Sequence, residues 1–503
     1  MKTLDDSDDL ARFGYRQELN RTLGSFSSFA AGFSYLSILT GLFQMFYLGF
    51  ATGGGVFIWS WPLVLAGQFL VALGFAELAA HYPLSGGAYQ WSKLAGSPRL
   101  GFMVGWIYLA CLVVTLAAVA LALQALLPQI SPTFQVIGSA ADARASAMNA
   151  VLLGCVMIVL TTILNSMGVG ILAKVNNAGV AAELVGAALL IVLLWAFAVR
   201  DSGEVLLAGA HRDLAGFVVP LIGSAGLTAS YCMYGFDTAG SLAEETTNPR
   251  RNAPRAILQA LGAAGALGFL LLLGALMAAP DLAAPALGRI DGGLPLIVTG
   301  TLGGQFGRLL LIDVIFAIFV CALAVHAGAV RLVFAMARDR LLPFSGALAS
   351  VSPSSKTPTY AVIVTGIAAM TILVVNVNLP KLIELVTLIA AMWANLAYLI
   401  VTAALFRNRL RGWPGDQDRD KGRFSLGRWA LPVNAAAVLW SVFMILNIGW
   451  PREAVYGAEW QHRFAPLILT SMLVAIALVA SGLVQRRTAA ILPDYTHPST
   501  EID

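Results

Sequence analysis

The chain alternates long apolar runs with short polar ones, and the runs recur along nearly its whole length. Each is close to the ~20 residues that an α-helix needs to cross the hydrocarbon core of a bilayer. On that measure helices are expected at 25–50, 57–80, 100–127, 147–168, 176–199, 217–245, 255–279, 306–337, 358–377, 381–405, 430–449 and 465–485. The expected fold is therefore an all-α polytopic membrane protein with 12 transmembrane helices.

Two of the runs are not uniformly apolar. The first crowds Ser25, Ser27, Ser28, Gly32, Ser34, Ser37, Thr40 and Gly41 together, and small residues of this kind can serve a tight helix interface alone. The sixth is interrupted at Tyr234-Gly235-Phe236-Asp237-Thr238-Ala239-Gly240. A carboxylate is expensive in hydrocarbon, and irregular backbone survives at that depth only inside protein or beside water. Two broken helices in corresponding positions of two five-helix halves point to an inverted-repeat transporter with its binding site at the breaks. Amides at a half-helix N-terminus suit an anionic group and freed carbonyls a cationic one. A zwitterionic amino acid offers both.

Composition narrows the class further. Of 503 residues, 58% are hydrophobic and 12% charged, about half the usual charged fraction, and the mean hydropathy is +0.79. The net charge of +4 is spread over short loops, whereas a nucleic-acid binder gathers Lys and Arg on one domain. Cys111, Cys155, Cys232 and Cys321 each lie in an apolar run as small hydrophobes, and no metal or other cofactor is expected. No GxSxG, HExxH or nucleotide-binding glycine loop suggests an enzyme. The largest basic cluster, within Arg407–Arg428, fits both termini on the cytoplasmic side of the plasma membrane. Segments 1–24 and 486–503 are then cytoplasmic tails, 406–429 is a flexible cytoplasmic loop, and the acidic N-terminal tail does not resemble a secretory signal.

Four motifs in register resemble the amino acid/choline transporter family of the amino acid–polyamine–organocation superfamily. They are Phe13-Gly14-Tyr15-Arg16-Gln17-Glu18-Leu19-Asn20-Arg21 before helix 1, and Ala76-Glu77-Leu78-Ala79 with Tyr82-Pro83-Leu84-Ser85-Gly86-Gly87-Ala88-Tyr89 after helix 2. The others are Gly235-Phe236-Asp237 with Glu244-Glu245 and Asn252-Ala253-Pro254-Arg255, and Ala337-Arg338-Asp339-Arg340-Leu341-Leu342-Pro343 at the end of helix 8. The resemblance implies a leucine-transporter-type five-plus-five inverted repeat, with 25–199 as its first half, 217–405 as its second, and helices 11 and 12 added at 430–485. It also implies alternating access and amino acids or related amines as substrates. The substrate should touch Ser37, Ile38, Leu39, Thr40 and Gly41 on helix 1, and Tyr231, Cys232, Met233, Tyr234, Gly235 and Asp237 on helix 6. The chain departs from the superfamily's Gly-x-Gly at the first break, where it has Leu39-Thr40-Gly41.

The ionisable residues divide by depth. Asp237 could bind an amine, gate through a hydrogen bond, or cap the second half of helix 6. Glu244 and Glu245, beside Arg250, Arg251 and Arg255, are expected at a cytoplasmic gate, as is Glu77 tied to the PLSGG loop. Arg331 and Arg338 read as anchors at the cytoplasmic end of helix 8, and Asp313 as a residue near the outer surface with little to do. Glu183 and His326 lie deeper and are the proton-coupling candidates. Helix 8 contains no Ser or Thr from Phe306 to Asp339, so it lacks hydroxyls for a hard cation that wants several oxygens. Proton coupling or exchange is expected over sodium symport. A choline, ethanolamine or polyamine substrate is the alternative, with Tyr231, Tyr234, Phe236 and Trp393 as a possible aromatic cage. The oligomeric state is not readable from the chain.

Overall fold

The computed structural model describes residues 10–139, 142–207, 213–290, 292–375, 377, 382–414 and 423–491, with backbone alone for 143, 382 and 483–491. The start of the tail before residue 10, part of the 406–429 loop and the end of the chain lie outside the described residues. Among the described residues, ten stretches are helical, long and apolar enough to cross a membrane, which makes this a multi-pass membrane protein. One of them, Ser25–His81, holds three helices in succession: α1 (Ser25–Leu36), α2 (Ile38–Gly53) and α3 (Phe57–His81). A short α4 (Gly87–Ala95) leads into the long α5 (Pro98–Ile130), followed by α6 (Ala143–Ser166) and α7 (Val169–Ala196).

The sixth run is the most irregular. It opens as α8 (Leu214–Ser224), loosens into a π-turn at Ala225–Ala229, and closes with a last turn at Ser230–Cys232. A π-turn displaces backbone groups from the regular ladder, and Asn447 donates its side-chain amide to the Ile222 carbonyl at 2.7 Å. After the break come the single turn α9 (Thr238–Ser241) and a 3₁₀ turn at Ala243–Glu245. The chain continues through α10 (Pro249–Ala278), α11 (Gly293–Leu302), α12 (Gly304–Arg338), α13 (Thr359–Val375), α14 (Leu382–Leu410), α15 (Ala430–Gly449) and α16 (Ala465–Ile491).

Helices α1, α3, α5, α7, α10, α12 and α14 form the packed centre. Glycines set its closest approaches, as expected where helices lack a hydrophobic drive to associate. On α7, a methyl at Gly179 would strike Val320 of α12 and one at Gly186 would strike Asp313. Seven residues forward on one helix match seven residues back on the other, so α7 and α12 run antiparallel. α6, α13, α15 and α16 expose broad apolar surface, as lipid-facing helices do, and so does the outward face of α7.

Candidate functional site

The first break falls at a single residue. Ser37 has φ +25°, outside helical geometry, and its hydroxyl accepts from the Thr40 amide at 3.4 Å, capping α2. The same hydroxyl lies 2.6 Å from Thr40 Oγ1 and donates to Glu183 Oε1 at 2.9 Å. That carboxylate oxygen also accepts from the Leu39 amide at 3.4 Å. Glu183, on α7 and 1% exposed, therefore sits at the positive end of α2. Its second oxygen, Oε2, has no hydrogen-bond partner among the described residues.

The second break turns on Gly235, whose φ of +95° only glycine adopts without strain. A Cβ there would lie 1.8 Å from the Tyr35 ring, so the two breaks meet in direct contact. Gly41 makes a second such contact, since a Cβ on it would come within 2.6 Å of Cys232 Sγ. A cavity of about 10 Å³ opens between the breaks, lined by Tyr35, Leu36, Thr40 and Gly41 from the first and Tyr231 and Tyr234 from the second. Thr115 and Val119 of α5 and Cys321 of α12 close it. That volume is room for about one water. Tyr234 shares a 2.8 Å hydrogen bond with Thr115, and Tyr231 donates to Gln44 at 3.0 Å. The Tyr35 and Tyr231 rings stand edge-on to Tyr234, with centroids 5.8 and 5.9 Å away.

Thr40, Gly41, Tyr231 and Tyr234 thus line the cavity, while Cys232 packs against Gly41 and Gly235 against Tyr35. Ile38 and Leu39 begin α2, where it is the Leu39 amide rather than its side chain that serves the break. Met233 is buried in the last turn before the second break. Asp237 does not cap α9, which receives no side-chain cap bond from it. Its Oδ1 instead accepts from Tyr108 of α5 at 2.6 Å and Tyr398 of α14 at 2.5 Å, while Oδ2 is buried and has no hydrogen-bond partner among the described residues. Tyr398 Oη in turn accepts from the Gly235 amide at 2.8 Å. The break itself supplies the reason: its amide attracts a hydroxyl from α14, and that hydroxyl reaches the carboxylate. Of the proposed cage, Trp393 is committed elsewhere, donating to Thr470 at 2.9 Å, and Phe236 packs on Phe75 and Tyr398.

Glu244, Glu245 and Glu77 find partners far along the chain. Glu245 is bonded by Arg331 in a fork at 3.0 and 2.9 Å, with both side chains 1% exposed. Glu244 takes a similar fork from Arg338 at 3.0 and 2.8 Å. Arg331 and Arg338 are therefore ion-pair partners rather than membrane anchors, and Arg250, Arg251 and Arg255 do not take that place. The PLSGG loop is held by Glu244, which accepts from the Ser85 amide at 3.0 Å. Glu77 instead pairs with Arg409 of α14 and accepts from the Ser425 hydroxyl at 3.0 Å.

The segment before α1 is laid across these pairs. Its Thr22 and Leu23 amides donate to the Glu245 carbonyl at 3.0 and 2.8 Å. Tyr15 donates to Asp339 at 2.9 Å, and Lys93 reaches both, at 2.8 Å to Tyr15 and 2.6 Å to Asp339. Burial lowers the Lys93 ammonium, but Asp339 and Tyr15 more than offset it and the pKa is raised. The Tyr15 phenol is also raised, by burial first and Asp339 second. His326 lies apart from the breaks, between Thr161 of α6 and the Val362 carbonyl of α13, each at 3.1 Å. Asp313 packs against Gly186.

A family model described as amino acid permease matches residues 23–479. The chain is similar to amino-acid permease BAT1 of Arabidopsis thaliana, 26% identical over 482 residues that cover 88% of this chain and 89% of that one. A BAT1 homolog of Oryza sativa subsp. japonica is 25% identical and covers 88% of each. The low-affinity putrescine importer PlaP of Escherichia coli (strain K12) is 26% identical over 391 residues, 76% of this chain and 81% of that one.

Proposed function

The chain belongs to the amino acid permease family, and from that premise we propose that it is a secondary transporter moving an amino acid or closely related amino compound by alternating access. Two helix breaks that meet at one cavity carry this reading. The arrangement fits twelve helices as a five-plus-five inverted repeat, 25–199 and 217–405, with two more helices at 430–485. Among the described residues ten stretches are long and apolar enough to span; dividing Ser25–His81 in two and adding the 17-residue Thr359–Val375 gives twelve. The plasma membrane with both termini cytoplasmic is the proposed setting.

A cavity of about 10 Å³ is far below the volume of an amino acid, so substrate enters only when the walls part. A second cavity of about 30 Å³, bounded by Ser27, Ala31, Leu172, Asn176, Thr238 and Ala327, lies among α1, α7, α9 and α12. We take it as the start of the cytoplasmic path. The paired carboxylates Glu244 and Glu245 and the segment before α1 close the way beyond it, and Glu77 ties α14 to α3.

Coupling is proposed through protons or exchange rather than sodium. The carboxylate of Glu183 faces the first break, while α12 brings Cys321 there and no hydroxyl. Among the proton candidates, Glu183 touches the break and His326 is bonded away from it. An amine such as putrescine, choline or ethanolamine is the second reading. It is favoured by the unpartnered Asp237 Oδ2 and the three tyrosine rings.

Thermal unfolding of the detergent-purified chain against standard amino acids, γ-aminobutyrate, choline, ethanolamine and putrescine, at acidic and neutral pH, separates these readings. A ligand that binds only the folded state raises the midpoint with its concentration. A rise with one amino acid, larger at acidic pH, supports the first reading. A rise only with the amines supports the second, and no rise with any of them defeats both.

A further inference from the structure

We propose that Asp313 is the outer station of a proton relay to Glu183, so that the coupling carboxylate is loaded from the membrane face opposite the segment before α1. This rests on the reading that Glu183 carries the coupled proton.

The geometry comes from the antiparallel pairing of α7 and α12. Gly179 faces Val320 and Gly186 faces Asp313, which sets Glu183 between those two levels. Glu183 and Gly186 are three residues apart and share a face of α7, with side-chain positions about 5–6 Å apart. A methyl on Gly186 would come within 1.7 Å of Asp313 Oδ2. The glycine therefore leaves a notch that the Asp313 carboxylate fills, one turn beyond Glu183. At a rise of 1.5 Å per residue, Asp313 stands about 37 Å along α12 from Arg338, where the segment before α1 is docked. It thus lies on the opposite side of the break.

The two carboxyls are complementary in their surroundings. Asp313 is partly exposed, near the Gly304 end of α12. Glu183 is 1% exposed, and its Oε2 has no hydrogen-bond partner among the described residues. Among the described residues, the ionisable groups facing Glu183 from its neighbours are Asp313 and the Cys321 thiol, both on α12. α1, α2 and α11 contain no charged residue, and the arginines of α10 lie in its first two turns. Among the described residues no cation thus stands beside Glu183 to compensate its charge.

The exchange balances simply. A hydronium ion at the far face gives its proton to the Asp313 carboxylate and leaves as water. The resulting acid passes that proton across an intervening water to the Glu183 carboxylate and is itself ionised again. Glu183 releases the proton when the breaks open to the other side.

Proteoliposomes holding the full chain supply the test, with an isotope-labelled mixture of the standard amino acids and putrescine read by mass spectrometry. Uptake driven by an imposed pH gradient is compared with exchange of labelled for unlabelled compound, which needs no net proton movement. Asp313→Asn should slow gradient-driven uptake by about tenfold while leaving exchange within about twofold, in keeping with the loss of a positioned proton donor. Asp313→Glu should restore most of the rate, and Gly186→Ala, which displaces the carboxylate, should reproduce the defect. Unchanged gradient-driven uptake in Asp313→Asn, or an equal loss of both rates, overturns the relay. Retained pH-driven uptake in Glu183→Gln overturns the coupling role of Glu183, and no uptake by the unaltered chain overturns the transport reading; either takes the relay with it.

Discussion

Asp237 has one oxygen shared by two tyrosine hydroxyls and the other buried with no partner among the described residues. Buried polar groups are normally satisfied, and leaving one unpaired costs about 1–3 kcal/mol. Tyr398→Phe removes a donor from Oδ1 and an acceptor from the Gly235 amide together. A stability loss of about 1–3 kcal/mol is expected on that account, read as a lowered melting midpoint in detergent. Tyr108→Phe, which strips only one bond, should cost less. The pair Arg331–Glu245 is a sharper case because both side chains are 1% exposed. Removing one member leaves a buried charge alone and costs about 3–5 kcal/mol, while replacing both by uncharged residues is often near neutral. Glu245→Gln or Arg331→Met alone should therefore melt early, and the double variant should recover most of the loss. If the double variant melts no later than the singles, the pair does not act as a unit.

At the scale of the helix, the breaks depend on glycine and serine in ways that sequence reveals only in part. Gly235→Ala would set a methyl 1.8 Å from the Tyr35 ring at φ +95°. It should abolish uptake and lower the melting midpoint, since alanine at such a φ is strained as well as crowded. Both breaks were legible because small residues and an acidic residue have little reason to interrupt an apolar run unless something binds there. Their partners were not. Tyr108 and Tyr398 lie in ordinary apolar helices 129 and 161 residues from Asp237, and no local pattern marks either. The partners of Glu244 and Glu245 were hidden in the same way, lying 94 and 86 residues away although three arginines follow within a few turns. A single turn of helix, Thr238–Ser241, aims those carboxylates at α12. Periodicity predicts which stretches are helical but not how a break redirects the chain after it. At Leu39, which stands in the superfamily's Gly-x-Gly position, it is the backbone amide that acts.

Across the whole molecule, the segment before α1 fastens one side of the bundle through Tyr15, Lys93 and Asp339. Lys93 and Tyr15 both have pKa values raised by this docking. A raised folded-state pKa contributes stability that is complete below the ordinary value and lost as pH climbs through the raised one. Docking should therefore persist through neutral solution and fail on the alkaline side only above the ordinary lysine range. Protease cleavage within residues 10–24, followed against pH, should stay slow until then; release near neutrality would contradict it. The Asp339→Asn variant should release the segment at any pH. The meeting of the two breaks has one more consequence. Three of the four native thiols, Cys111, Cys232 and Cys321, are buried within the bundle, with Cys321 on the cavity and Cys232 against Gly41. A mercurial can reach them only while the walls are apart, so the protein carries its own stopwatch: the speed of its poisoning measures the fraction of time it spends open, and a cargo that seals the walls should act as the antidote.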